Sequence, residues 1–403
     1  MDSDFLSAEE AAQLLGVSID TLYAYVSRKS LRSQQIPGSR AHQYWKADIE
    51  RIRTRATSRR PAAEEPQQES EITLISERGP YYRGRSAIEL ADSASLESVA
   101  ALLWEVSAEE VFTSTPPRTG KNFAALDALL ATESGVDRAI AHFSFLEHTN
   151  PRSFDLSPLG MARTGADVVR WLTAILLRQK QASSDPIHLQ FGKALNLSDE
   201  RTDLVRRLLV LSSDHGFEQS TFAVRAVAST GVTPWPAVAT GLAVATGRRS
   251  KFGYSEGLRR FLTDIVSADD PEEPIIRRLR EGETLPGFAN PIYPLGDPRA
   301  RALLDSCDRV LAKDEAYRRL KRALQLAHEL QNLKPSFALA AGFTGLALGL
   351  IEAGPPTGLG PTVSVPFLVA RSVGWIAHAI EQYKRGEAER KALFYRGPLP
   401  QNV

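Results

Sequence analysis

The stretch VARSVGWIAHAIEQY, residues 369–383, reads as an apolar helix with Ile376 and Ile380 one turn apart and an arginine, Arg371, in its midst. A lone guanidinium in such a helix is expensive to bury unless an anion or a carboxylate meets it, so Arg371 is a candidate binding residue. Working outward, the same three- and four-residue spacing recurs. It is carried by Val99, Leu102 and Leu103, by Val168, Val169, Leu172 and Leu176, and by Leu204, Leu208 and Leu209. The run from Phe337 to Ile351 is uncharged and rich in Gly and Ala, short of a bilayer span, and reads as a helix packed inside a core. Upstream, Ile72 to Ile75, a turn at Arg78-Gly79-Pro80 and Tyr81 to Gly84 predict a small hairpin before a helix beginning near Ala87. The body from residue 71 to 403 is therefore expected to be mainly helical with one hairpin at its start.

The 403 residues exceed one ordinary core and suit two or three units. With 43% hydrophobic and 24% charged residues, the balance is that of a globular protein, not of a disordered or membrane-spanning chain. A net charge of +1 says nothing of partners, but its distribution does. Between Arg28 and Arg60 stand ten basic residues against two acids, Asp48 and Glu50, a local surplus of eight that suits a polyanion partner at the N-terminal end only. The single cysteine, Cys307, excludes an internal disulfide and a cysteine metal cage. Acids where a signal peptide carries positive charge complete the expectation of a cytoplasmic protein without a membrane partner.

In the N-terminal stretch, Ser7 and Glu10 fit a capping box, and Ala11, Ala12, Leu14 and Leu15 supply the buried side of a short helix that Gly16 ends. Ser18 caps a second helix through Leu22 and Val26. Leu31 to Gln35 and Ala41 to Trp45, about a turn at Pro37-Gly38-Ser39, read as a two-stranded wing, and a third helix follows from Ala47. Tyr25, Tyr44 and Trp45 are expected to pack the small core. The order LSAEEAAQLLGVSIDTLYAYVSRKSL…GSRAHQYWKADIERI resembles the excisionase and MerR-type winged helix-turn-helix family over the first fifty-five residues. The resemblance implies DNA binding, with Thr21, Tyr23 and Arg28 facing the major groove and Lys29, Arg40 and His42 meeting phosphates. The same features also suit a solvated appendage or a protein-docking unit. TRATSRRPAAEEPQQES, from Thr54, has no hydrophobic period and reads as a flexible linker, so the expected organisation is 1–55, a linker at 56–70, and the body at 71–403.

Four segments of the body, in order, resemble the citrate synthase family: YYRGRSAIELA (81–91), LLVLSSDHGFEQSTFAVRAVAST (208–230), GFANPIYPLGDPRARALL (287–304) and VARSVGWIAHAIEQY (369–383). The resemblance implies an all-α two-lobed domain, its small lobe roughly 220–330 inserted in the large one. It also implies a chemistry in which an aspartate deprotonates the acyl-CoA, two histidines serve the enol and the ketone, and arginines hold the carboxylates of oxaloacetate. Carried over by position, the substrate-binding set is His215, Arg299, Arg371 and Arg390. Arg299 equally fits a purely structural role beside Asp297, which starts its helix, and Arg390 a surface one.

The acid–base positions depart from the family's pattern. The first histidine falls on Ser250, or on Lys251 with a one-residue shift, the second on Asn290, and the aspartate on Ser336. Ser336 is no base near neutral pH without a partner, Asn290 can still donate a hydrogen bond to a carbonyl, and Lys251 substitutes for a base only if desolvated, so losing all three leaves little beyond positioning. The first expectation is thus a catalytically impaired, carboxylate-sensing DNA-binding regulator. The alternatives are a citrate or 2-methylcitrate synthase-type acyltransferase condensing acyl-CoA with oxaloacetate, and a non-catalytic subunit of an active paralogue. The expected partners are DNA, a di- or tricarboxylate, and a second subunit in a homodimer or heterodimer. No cofactor is required, acetyl-CoA or another acyl-CoA being a substrate, and no metal spacing or phosphate loop is visible.

Overall fold

The structure is a computed structural model, and its described residues are 5–29, 31, 33–36, 38–39, 41–46, 49, 69–247, 256–288, 292–349 and 365–386. The chain divides into a small N-terminal unit and a large unit, Ser70–Arg390.

In the small unit the helix Ala8–Leu15 begins at the expected capping box, the Ser7 amide donating to Glu10 Oε2 at 2.8 Å and the Glu10 amide to Ser7 Oγ at 3.2 Å. Gly16 closes it at φ +65°, a left-handed conformation that glycine adopts without a Cβ penalty. Ser18 accepts from the Thr21 amide at 3.2 Å at the head of the next helix, Ile19–Lys29. Strands β2 (Ser33–Gln35) and β3 (His42–Trp45) pair antiparallel as expected, with Gln34 opposite Gln43. A further strand, β1 (Phe5–Leu6), adds to the other side of β3, giving the order β1-β3-β2. Two residues are too short to show the alternation by which a strand is read. Ala11, Ala12, Leu22, Leu31, Tyr44 and Ile49 form the core. The side chains of Tyr25 and Trp45, and most of the third helix expected after Ala47, lie outside the described residues.

The large unit opens with a meander, β4 (Thr73–Ser76), β5 (Gly79–Tyr82) and β6 (Arg85–Ser86), and continues as helices. The turn falls at Glu77-Arg78 instead of Arg78-Gly79-Pro80, because Gly79 and Pro80 already pair with Ser76 and Ile75, and β6 adds a third strand to the expected hairpin. Tyr82 anchors the meander to the helical core. Its buried hydroxyl donates to the carbonyls of Val210 and Asp214 at 3.1 and 3.2 Å, at the end of the helix Asp199–Ser212. The last described helix, Val365–Arg385, is the centre of the core, since every residue from Val365 to Gln382 is buried. It packs against the helices Leu96–Trp104, Pro158–Leu176, Asp199–Ser212, Gln219–Ala228 and Pro234–Ala245.

Close approach on so many sides requires small residues at the contacts. A Cβ on Gly241 would stand 2.6 Å from the Trp375 ring, and one on Gly374 would stand 2.4 Å from the Ser213 carbonyl oxygen. Indole donors are met within the same packing, Trp104 Nε1 by the Val373 carbonyl at 2.9 Å and Trp375 Nε1 by Ser220 Oγ at 3.1 Å. The apolar run from Phe337 is a helix, Phe337–Ala347, buried along most of its length; Leu350 and Ile351 lie outside the described residues.

Gly374→Ala places a methyl group against the Ser213–Asp214 backbone, which cannot move without disturbing the turn that follows. The expected loss is about 1–3 kcal/mol, read as a lower urea midpoint at unchanged slope.

Candidate carboxylate-binding site

The segment that follows the helix Asp199–Ser212 turns sharply before the helix Gln219–Ala228. Gly216 takes φ +69° there, and its amide donates to Asp214 Oδ2 at 2.9 Å. The turn presents two side chains to the same interior space, His215 and Glu218. His215 Nδ1 lies 3.5 Å from Glu218 Oε1, and Nε2 lies 2.9 Å from the Tyr293 hydroxyl. Glu218 Oε2 stands 3.3 Å from Nη1 of Arg371, whose guanidinium covers the Phe367 ring at 5.0 Å. Arg371 is only 1% exposed, and a carboxylate meets it, as its burial demanded.

Arg299 enters from the helix Pro298–Val310. Asp297 caps that helix by accepting from the Arg299 amide at 3.0 Å. It also holds the guanidinium through Nε at 3.1 Å and Nη2 at 2.8 Å. The guanidinium lies between two aromatic rings, 5.6 Å from Tyr293 and 4.5 Å from Phe337. His215, Arg299 and Arg371 thus meet through Tyr293 and Glu218. The structural role expected for Arg299 beside Asp297 is thus observed, and the same guanidinium lies in the cluster.

Burial, and then the positive charge of Arg299, holds His215 below the ordinary histidine value, so the ring is neutral near neutral pH. Burial pushes the Tyr293 hydroxyl up to about 12. The Glu218 carboxylate facing Nδ1 can only accept, which places the ring proton on Nδ1 and leaves Nε2 to accept from the Tyr293 hydroxyl. The cluster therefore brings two cations, a neutral imidazole and a phenol together with the carboxylates of Glu218 and Asp297.

Behind it runs a second buried network. Asp214 Oδ1 lies 3.4 Å from His378 Nε2, His378 Nδ1 lies 3.4 Å from Arg225 Nη1, and Arg225 donates to Glu381 Oε2 at 2.6 Å. Glu381 also accepts from the Glu71 amide at 2.8 Å. Burial opposes ionisation of Asp214, yet His378 and then Arg371 hold its carboxyl below the usual carboxylate range. His378 looks isolated in sequence, and nothing local marks Glu218 as more than a solvated acid. Both were missed for want of a neighbouring partner in the chain.

The remaining expected residues divide. Ser336 is the N-cap of the helix Phe337–Ala347: its Oγ accepts from the Leu339 amide at 3.4 Å, and its own amide donates to the Gly287 carbonyl at 2.8 Å. Ser250, Lys251, Asn290, Arg390 and Arg40 lie outside the described residues, as do the side chains of Arg28 and Lys29. Thr21, Tyr23 and His42 are exposed on the small unit, Tyr23 to 54%. Among the described residues no cluster of His, Cys, Asp and Glu has the makings of a metal site. No helix among them is long and apolar enough to cross a membrane.

Residues 63–392 match the family described as citrate synthase, C-terminal domain. The chain is 24% identical over 364 residues to citrate synthase 2 of Bacillus subtilis, covering 82% of this chain and 93% of that protein. It is 26% identical over 366 residues to a 2-methylcitrate synthase of Shewanella oneidensis, covering 82% and 92%. In fold it is similar to a citrate synthase of Thermoplasma acidophilum solved in a ternary complex with carboxymethyl coenzyme A and oxaloacetate. That TM-score is 0.67 at 17% identity, over 84% of this chain and 96% of that one. The citrate synthase of Thermotoga maritima matches with a TM-score of 0.64 at 19% identity, over 85% and 97%.

Two measurements check the site's chemistry. The folded chain binds a proton on His215 less readily than the unfolded chain, so stability is complete above the ordinary value of 6.5 and declines as pH falls below it. Urea midpoints followed from about pH 8 to about pH 5 should fall, and His215→Gln should make that fall shallower. Ser336→Ala should cost about 0.5–2 kcal/mol of stability through the lost cap and leave carboxylate binding as it was.

Proposed function

The chain belongs to the citrate synthase family, and on that premise we propose that its large unit binds oxaloacetate or a closely related ketoacid and condenses an acyl-CoA with it. One observation carries the binding half: His215, Arg299 and Arg371, far apart in sequence, share one buried cluster of carboxylate-recognising groups. The arginines would hold carboxylates, and the Nδ1–H of the neutral His215, once released from Glu218, would face a carbonyl oxygen. Similarity to citrate and 2-methylcitrate synthases along four-fifths of the chain supports acetyl- or propionyl-CoA as the second substrate. The acyl-CoA enters as substrate, and the reading calls for no further cofactor.

A second reading is favoured by Ser336. Its hydroxyl is engaged as a helix cap, and a serine hydroxyl without a partner base does not remove a carbon-bound proton near neutral pH. On this reading the large unit binds the ketoacid without turnover, and the small unit, as a winged helix-turn-helix, binds DNA in response. Such coupling requires the ligand to favour one of two states of the whole chain.

The deciding experiment follows thiol release from acetyl-CoA and from propionyl-CoA with oxaloacetate, alongside the thermal shift that oxaloacetate produces. The proposal expects thiol release that depends on oxaloacetate, and a thermal shift abolished in Arg371→Met. A shift without thiol release replaces it with the second reading. Absence of any shift removes both.

A further inference from the structure

Within the cluster, the two arginines are matched by carboxylates of very different freedom. Asp297 is fully buried, caps a helix and grips Arg299 through two hydrogen bonds, so it stays in place. Glu218 sits at the head of the helix Gln219–Ala228 with its side chain 32% exposed, although Oε2 itself is buried, and no hydrogen bond from its side chain caps that helix. Its two oxygens divide between the two partners, Oε1 at 3.5 Å from His215 Nδ1 and Oε2 at 3.3 Å from Arg371 Nη1. A ligand carboxylate held by Arg371 beside His215 needs that same space and those same donors.

We infer that Glu218 is a specificity-determining residue, an internal carboxylate that competes with the ligand's own for Arg371 and His215 and weakens the binding of dianionic ketoacids. The inference rests on the ketoacid-binding reading of the same cluster. Its physical basis is repulsion. With Glu218 in place, a ligand carboxylate approaching Arg371 meets a like charge at contact distance, and it binds only as Glu218 turns out to solvent. A ketoacid with a second carboxylate feels that charge more than one with a single carboxylate. Selectivity between the two classes is thereby set by a residue that belongs to the protein's own charge balance.

The test is calorimetry with oxaloacetate and pyruvate on the full chain, comparing the wild type, Glu218→Gln and Glu218→Asp, each first checked for folding by circular dichroism. Glu218→Gln keeps the shape and removes the charge. Glu218→Asp keeps the charge and draws it back by one methylene, which carries the test if the glutamine variant does not fold. The expected result is oxaloacetate binding about five- to tenfold tighter in Glu218→Gln, with a smaller gain for pyruvate and a gain of the same sign in Glu218→Asp. Oxaloacetate binding that is unchanged or weaker in the variants overturns the inference and leaves the ketoacid reading standing. No binding of either acid by any of the three proteins overturns that reading and the inference with it.

Discussion

A guanidinium buried at the centre of the fold is the constraint around which the large unit is arranged. Arg371 lies in a helix with no solvent face through most of its length, and an unmatched charge there would cost several kcal/mol. The helix meets this demand along one line. Arg371, His378 and Glu381 recur at helical spacing on one face, which turns toward the segment running from Asp214 to Arg225. Glu218 meets Arg371, Asp214 meets His378, and Arg225 meets Glu381. The polar stripe fixes the register of the helix against that segment, while its apolar remainder fills the core.

Buried ion pairs are seldom the most stabilising solution, because the desolvation of both partners offsets their attraction. An apolar helix of the same shape would pack as well. Two arginines and a histidine in one buried place are therefore not explained by stability alone. The arrangement is also prepared in advance. Asp297 orients Arg299, whose guanidinium lies over the rings of Phe337 and Tyr293, and Tyr293 holds Nε2 of His215. Groups held in position before a ligand arrives lose little freedom when it does.

The chemistry beyond binding turns on how a hydroxyl differs from a carboxylate. At Ser336 the side chain completes a helix terminus, a use that any serine at that point in a chain makes of its oxygen. A carboxylate there would both cap and accept a proton, whereas the serine caps alone.

The sequence by itself determined what depends on near neighbours. The capping box at Ser7, the left-handed Gly16 and the Ser18 cap involve contacts across three or four residues, and the hairpin before Ala87 pairs residues within one short stretch of chain, which composition and spacing report directly. The apolar helix around Arg371 was legible in the same way, as was the need for a carboxylate beside it. Which carboxylate answers that need was decided only in three dimensions. Glu218 precedes Arg371 by nearly half of the large unit, and Arg225 and Glu381 meet across 156 positions. Strand β1 has too few residues to carry a pattern and exists because β3 offers it an edge. Local preference acts over one or two turns of chain, whereas the pairing of buried charges is settled by which helices pack together, and no periodicity records that.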